Sequence, residues 1–258
     1  MDSDSKLLEK QAHAYLSEGK LEEAYNLFRK VANFYKNNGQ NKEAALCFAS
    51  AASCWSIKSG EKLFYNAALS YEEAALQAEK SFDFEYASLL YKYAAMNYER
   101  DGEFFNFADC FYKSKESYRK FLKYMIIHPK KYRHLIKTKE EKGIANWFKH
   151  VLLWLGFTFS YLVWGYGERP MRTFFSGLFI IFISAICYSL GHLLKNDIVI
   201  QPDFFQSIYF SIITFTTVGY GDIAPLGLSK LVVMIEALSA IIIMPLFLVG
   251  LSRRYLRI

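Results

Sequence analysis

The sequence has few of the features that mark an enzyme, a disulfide-linked protein or a secreted protein. Its 258 residues include only four cysteines, and their wide spacing excludes a disulfide scaffold. No phosphate-binding loop, catalytic triad or metal-ligand cluster is present, so we expect neither an enzyme nor a cofactor. The acidic, polar start MDSDSKLLEK indicates no cleavable signal, which predicts a cytoplasmic N-terminal part.

Charge is distributed unevenly along the chain. Counting Lys and Arg against Asp and Glu, residues 1–112 have a net charge of −5, residues 113–149 of +9 and residues 150–258 of +2. An acidic first part, a basic middle and an almost uncharged, aromatic-rich last part are not the composition of one soluble domain. The pattern predicts a cytosolic module that leads into a membrane.

Two windows of 22 residues are apolar enough to cross a membrane, namely Thr173–Leu194 and Leu231–Ser252. Arginines flank the outer sides of this pair, whereas the loop between the windows carries two lysines against three aspartates. The positive-inside rule therefore predicts a cell-membrane protein with two spans and with both termini in the cytoplasm. The flanking arginines are Arg169, Arg172, Arg253, Arg254 and Arg257.

A third apolar run, Val151–Tyr166, has only 16 residues. A third span would place the basic middle segment outside, against the same charge rule. The Trp and Tyr content of the run suits the headgroup region, so we expect an interfacial amphipathic helix, with a spanning helix as the alternative. The basic side chains before it are expected to attract anionic lipids, with nucleic acid as the competing interpretation. They are Lys130, Lys131, Arg133, Lys137, Lys139 and Lys142.

The loop between the two spans is the most informative segment. Pro202 suits the first turn of a helix and Asp203 suits its positive end, so the sequence predicts a helix over 203–215. Such a helix is too short to cross a membrane. We expect it to enter the membrane and to stop where protein or water covers its open end.

The residues Thr216–Asp222 read TTVGYGD. In this position, between two spans and after a short helix, the string resembles the selectivity filter of potassium channels of the two-transmembrane-helix prokaryotic type, a resemblance that covers residues 172–252. It implies that backbone carbonyls, and one threonine hydroxyl, replace the water shell of K⁺. The residues implied to coordinate K⁺ are Thr217, Val218, Gly219 and Tyr220, and those implied to support the filter are Thr216, Gly221 and Asp222.

Carbonyl groups of successive residues can point inward only if the backbone alternates between right- and left-handed dihedrals, which Gly219 and Gly221 allow without steric cost. One chain supplies a quarter of each carbonyl ring, so the resemblance also implies a homotetramer. A second GYG, at Gly165–Gly167, lacks the preceding Thr-Thr-Val and the short helix. We interpret it as a turn that leads into the first span.

Three other residues could support or gate the filter. Some relatives pair a carboxylate on the pore helix with the outer aspartate; Ile213 occupies that position here, and we expect Tyr209 to hydrogen-bond Asp222 instead. Glu236 has either a role behind the filter or a structural hydrogen bond between subunits, which we favour. Pro245 is the predicted bend of the inner helix, because it removes one backbone hydrogen bond. No span carries a ladder of arginines, so no voltage sensor is predicted.

The sequence of the first part of the chain, residues 6–122, predicts helices throughout. An alanine, an aromatic residue four positions on and a further alanine recur on one helix face, about every 21 residues. Glycines at 19, 39 and 102 fall at the predicted junctions, which indicates about six helices in a helical-hairpin solenoid. This array resembles tetratricopeptide repeats and the soluble NSF attachment proteins, which implies a protein or peptide partner, with a pure assembly role as the alternative. The repeats are Ala24-Phe28-Ala32, Ala44-Phe48-Ala52, Ala67-Tyr71-Ala75 and Ala87-Tyr91-Ala95.

The sequence thus predicts an all-α protein in three parts. These are a cytoplasmic helical repeat domain at 1–125, a basic collar with an interfacial helix at 126–170, and a pore domain at 171–258. The resemblance implies passive, potassium-selective conduction by a homotetramer that is gated through the repeat domain. The alternatives are a membrane-tethered scaffold that conducts little and a cation pore of relaxed selectivity.

Overall fold

The computed structural model of the protein describes residues 2–57, 63–128 and 144–255. The predicted collar residues Lys130 to Lys142 lie outside this range. The all-α class is confirmed, and the chain divides into two units, residues 1–161 and 162–258. Each unit is described by itself.

Six consecutive helices make up most of the first unit, and each packs mainly against the next one along the chain. The helices after α1 begin with the recurring alanine near their first turn, and these alanines are fully buried. Tyr71 is the exception among the aromatic members of the four repeats, because it is only partly buried. The helices are α1 Asp2–Ser17, α2 Leu21–Asn37, α3 Asn41–Ile57, α4 Leu63–Lys80, α5 Phe84–Arg100 and α6 Phe104–Ile127.

Four of the junctions between these helices share one turn geometry. After α1, Gly19 has a φ of +76°, its amide donates to the Leu16 carbonyl at 3.2 Å, and the next amide reaches back to Tyr15 at 2.9 Å. This pair of bonds is the glycine-terminated motif that satisfies the last carbonyls of a helix. Gly39 and Gly102 repeat it, as their positions predicted, and Phe82 takes the same left-handed conformation after α4.

A seventh helix, α7, runs from Ile144 to Val163 and covers most of the predicted interfacial run. One of its faces packs on α6, where the Phe157 ring lies 5.1 Å from Tyr118 and the Arg119 guanidinium lies 4.4 Å from the Tyr161 ring. The opposite face exposes large apolar side chains at helical spacing, namely Phe148, Leu152, Leu155, Phe159 and Leu162. The exposed face of the helix is therefore apolar, and its amphipathic, interfacial character stays a prediction.

The second unit contains two long apolar helices and a short one. α8 runs from Pro170 to Ser189 and α10 from Ser229 to Tyr255; among the described helices, these two are long and apolar enough to cross a membrane. The short helix α9, Phe204–Phe215, packs on both of them. Between α7 and α8 the chain makes one 3₁₀ turn, Gly165–Gly167.

The first predicted span was placed too far along the chain, because the sequence prediction missed a small sheet. α8 ends at Ser189, and the residues beyond it form β1, Leu193–Lys195. This strand pairs antiparallel with β2, Ile198–Ile200, and with β3, Ile223–Pro225. Leu193 is fully buried in the sheet, so the apolar character that suggested a longer span belongs to a strand.

Candidate ion pathway

The pore helix α9 begins and ends where its sequence dictates. The Asp203 side chain caps its start by accepting a hydrogen bond from the Gln206 amide at 2.7 Å. At the other end, the Thr216 hydroxyl donates to the Ile212 carbonyl at 2.7 Å. Twelve residues give a helix of about 18 Å, which is too short to cross a bilayer. The predicted range 203–215 is confirmed to within one residue.

The residues Thr216–Asp222, which we call the filter segment, follow this helix and are hydrogen-bonded to its last turn. The Thr217 amide donates to the Thr214 carbonyl at 3.0 Å, while the Val218 and Gly219 amides both donate to the Ile213 carbonyl, at 3.0 and 3.2 Å. The position of the filter backbone therefore depends on the position of the pore helix.

The filter backbone is left-handed at every second residue. Gly219 and Gly221 have φ values of +52° and +81°, as their glycine identity predicted. Thr217 also has a positive φ, +60°, which the sequence did not reveal because β-branched residues avoid this region. The three left-handed residues give the segment the alternating conformation that inward-pointing carbonyls require.

The filter side chains are not buried within a single chain. Val218 is 52% exposed and Tyr220 is 70% exposed. The resemblance to potassium channels implies that these side chains point into protein, with Tyr220 as a strut. Since the described part of the chain does not cover Tyr220, any such contact must come from elsewhere.

The outer end of the filter carries the hydrogen bond that spacing predicted. The Tyr209 hydroxyl donates to Asp222 Oδ2 at 3.0 Å. Ile213, at the position where some relatives carry a carboxylate, is buried and apolar. Directly after Asp222 the chain enters β3, whose pairing with β1 fixes the outer end of the segment.

Glu236 lies buried behind the pore helix. Its Oε2 atom accepts a hydrogen bond from the Tyr188 hydroxyl of α8 at 2.6 Å, and its Oε1 atom accepts one from the Ser211 hydroxyl of α9. The expected hydrogen bond between subunits is thus replaced by bonds within one chain. The partners lie 48 and 25 residues away in sequence, so no local pattern identified them.

The C-terminal end of α10 contacts the second GYG turn. Arg254 donates to the Glu168 carbonyl at 3.0 Å, and a Cβ atom added at Gly250 would lie 3.4 Å from Pro170 Cβ. Gly165, Tyr166 and Gly167 all have positive φ values, so the turn is tightly wound. We call this group of contacts the inner clasp. α10 passes through Pro245 without a break in the helix, and the role of Pro245 as a gate stays a prediction.

Comparison with known proteins bears on this unit. A family model described as an ion channel matches residues 175–257. No curated protein and no solved structure matches the chain. The matched residues take in most of α8 and the whole of the pore helix, the filter segment and α10. The family is one of channels and not of enzymes. Residues 175–257 are therefore an ion channel domain with two candidate membrane helices.

Proposed function

We propose that the protein is a potassium-selective channel that conducts K⁺ passively as a homotetramer. The observation that carries the proposal is the segment TTVGYGD, left-handed at Thr217, Gly219 and Gly221 and suspended from the end of the pore helix. Carbonyls arranged in this way replace the hydration shell of K⁺. The proposed coordinating residues remain Thr217, Val218, Gly219 and Tyr220.

The surface that one chain leaves uncovered supports the proposed homotetramer. A ring of carbonyls needs several copies around one axis, and the filter of a single chain lies at its surface. The inner helix α10 likewise exposes most of its large apolar side chains along its length. Neighbouring copies and lipid are the proposed partners of these surfaces.

The membrane orientation proposed is the one that the charge rule predicts, with both termini in the cytoplasm. In this arrangement α7 lies on the inner leaflet, because its exposed face is apolar over its whole described length. The basic collar before it adds an attraction for anionic lipids.

The helical repeats are the proposed site for a protein or peptide partner that gates the pore. A groove of about 600 Å³ lies on the face of α3 and α5. Leu46 and Leu89 are exposed along it, and Lys42, Lys92 and Glu85 line it as well. An apolar floor with charged edges suits an amphipathic segment of a partner.

The test is flux through liposomes that contain the full-length chain, with K⁺ and Na⁺ gradients compared. Gly219→Ala should abolish selective K⁺ flux, because alanine at a left-handed φ costs roughly 1–2 kcal/mol per chain. Gly227→Ala is the matched control: its φ is +56°, an added Cβ meets no atom within 4 Å there or at Gly219, and it lies outside the filter. It should therefore conduct as the wild type does.

The outcomes separate the alternatives. K⁺-selective flux that Gly219→Ala abolishes and Gly227→Ala preserves supports the proposal. Flux without preference for K⁺ supports a pore of relaxed selectivity. A folded tetramer with no flux, both as the full chain and after deletion of residues 1–140, supports the membrane-tethered scaffold. Flux that appears only after the deletion supports a pore that the repeat domain holds closed.

A further inference from the structure

Three helices of the pore unit meet at one buried carboxyl group. Glu236 of α10 is 1% exposed, and its two oxygens accept hydrogen bonds from Tyr188 of α8 and Ser211 of α9. The Ser211 hydroxyl also lies 2.9 Å from the Ile181 carbonyl of α8. A carboxyl group in apolar surroundings is costly unless such partners satisfy it, and a satisfied buried network fixes the geometry of the groups that form it.

The helix that Ser211 belongs to also carries the filter. Ser211 lies two residues before Ile213, whose carbonyl holds the Val218 and Gly219 amides. Both residues lie in the last two turns of α9, so a shift of one moves the other by a similar amount. Beside Ser211, the Phe210 ring contacts the Tyr188 ring edge-on at 4.9 Å, which holds the same turn against α8.

We infer that Glu236 is a positioning residue for the filter. It holds α9, through Ser211 and Tyr188, at the position where Ile213 fixes the backbone of Val218 and Gly219. The inference rests on the proposed function, because the geometry that Glu236 maintains is the one proposed to select K⁺. It makes Glu236 part of the selectivity mechanism although the residue touches no ion.

A matched pair on α9 tests the link. Ser211 and Ser207 are both fully buried, but the Ser207 hydroxyl donates only to the Asp203 carbonyl of its own helix, at 2.8 Å. Ser211→Ala should therefore accelerate hydrogen exchange of the Val218 and Gly219 amides by about tenfold or more, as expected for the loss of one hydrogen bond to a buried carboxyl group. Ser207→Ala should leave this exchange within about twofold of the wild type.

Two further variants distinguish positioning from a loss of folding. Glu236→Gln keeps the shape of the side chain and an acceptor for Tyr188, so it should retain the wild-type exchange rate and K⁺/Na⁺ flux ratio to within about threefold. The triple variant Glu236→Leu, Tyr188→Phe, Ser211→Ala removes the carboxyl group together with the Tyr188 and Ser211 hydroxyls. Ser184 of α8 also hydrogen-bonds Glu236, but a helical serine can donate to a carbonyl of its own helix instead, so the variant should fold. It should nevertheless show fast exchange, as Ser211→Ala does, and both variants should have a lower K⁺/Na⁺ flux ratio than the wild type.

The measurements use the full chain in liposomes, with exchange followed by mass spectrometry on the peptide that covers the filter and flux followed in parallel. Filter exchange in Ser211→Ala and in the triple variant that matches Ser207→Ala would overturn the inference. Fast exchange with an unchanged K⁺/Na⁺ flux ratio would overturn it as well. A wild-type chain without K⁺ preference would refute the proposed function instead, and the exchange comparison would still decide whether Glu236 positions the filter backbone.

Discussion

The inner clasp makes a prediction that separates two substitutions at one glycine. Gly250 lies in α10 where the helix passes Pro170, and an alanine Cβ there would lie 3.4 Å from Pro170 Cβ, 3.6 Å from its Cα and 3.7 Å from the Gly167 carbonyl oxygen. These are ordinary van der Waals distances. Gly250→Ala should therefore fit, and it should stabilise the protein by up to about 1 kcal/mol through helix propensity.

Valine at the same position should have the opposite effect. Its two methyl groups extend about 1.5 Å beyond Cβ, and a β-branched side chain in a helix has one strongly preferred rotamer. A methyl group directed towards Pro170 cannot be placed without moving α10 away from the turn. Overpacking of this kind costs about 1–3 kcal/mol, and the shift also lengthens the hydrogen bond from Arg254 to the Glu168 carbonyl, which is 3.0 Å.

The assay is thermal unfolding of the full chain in detergent, with Gly156 as the reference site. Gly156 lies in α7, and an added Cβ meets no atom within 4 Å there, so valine and alanine differ at this site only in helix propensity. For a chain of this length, a clash of 1–3 kcal/mol corresponds to a midpoint lower by roughly 2 °C or more. If the difference between valine and alanine is the same at Gly250 as at Gly156, the close contact with Pro170 does not exist and the reasoning is wrong.

Two further predictions concern single groups. Tyr209→Phe removes the hydrogen bond to Asp222 and should shorten the open-state lifetime in single-channel recordings. Tyr255→Phe, the control, removes a hydroxyl from an exposed side chain at the end of α10 and should leave the lifetime unchanged. An unchanged lifetime in Tyr209→Phe would refute a role of this hydrogen bond in conduction. Burial raises the pKa of the Cys47 thiol to about 12 and that of Cys54 to about 11, from 9.0. Raising the pH from 7 to 9 converts an exposed thiol increasingly to the reactive thiolate but leaves these two protonated, so iodoacetamide should alkylate neither at pH 9 until the chain is denatured. Rapid alkylation of Cys47 or Cys54 in the folded chain, identified separately from the exposed Cys187, would show that the α3 face is open.

The sequence predicted those parts of the pore unit whose signals are local. Asp203 marks the start of the pore helix because a side-chain cap acts within three residues. The hydrogen bond between Tyr209 and Asp222 could be inferred from their separation, since a short helix followed by a tight extended segment brings its ends together. In the repeats, Gly19, Gly39 and Gly102 predicted the left-handed turns that the structure has at the helix junctions.

The parts that escaped prediction depend on contacts between distant residues or on strain. The partners of Glu236 come from two other helices, so its position in α10 alone did not identify them. The left-handed φ of Thr217 and of Phe82 contradicts the local preference of each residue and is imposed by the surrounding fold. The strand β1 was taken for the end of a span because both are apolar. One signal was available in the sequence, the adjacent pair Asn196 and Asp197. Asn and Asp tolerate the positive φ values that a two-residue hairpin turn requires, and both residues adopt them here.

The small sheet has a mechanical consequence for the filter. The seven residues Thr216–Asp222 are tied at one end to the last turn of α9 and at the other to β3, which pairs with β1 just beyond α8. Because both ends are held, the end-to-end distance of the segment is fixed. The segment cannot slide along the pore axis or shorten unless one end is released. The scaffold around the segment then sets the spacing between its carbonyl groups. The site proposed for K⁺ is therefore formed before an ion binds.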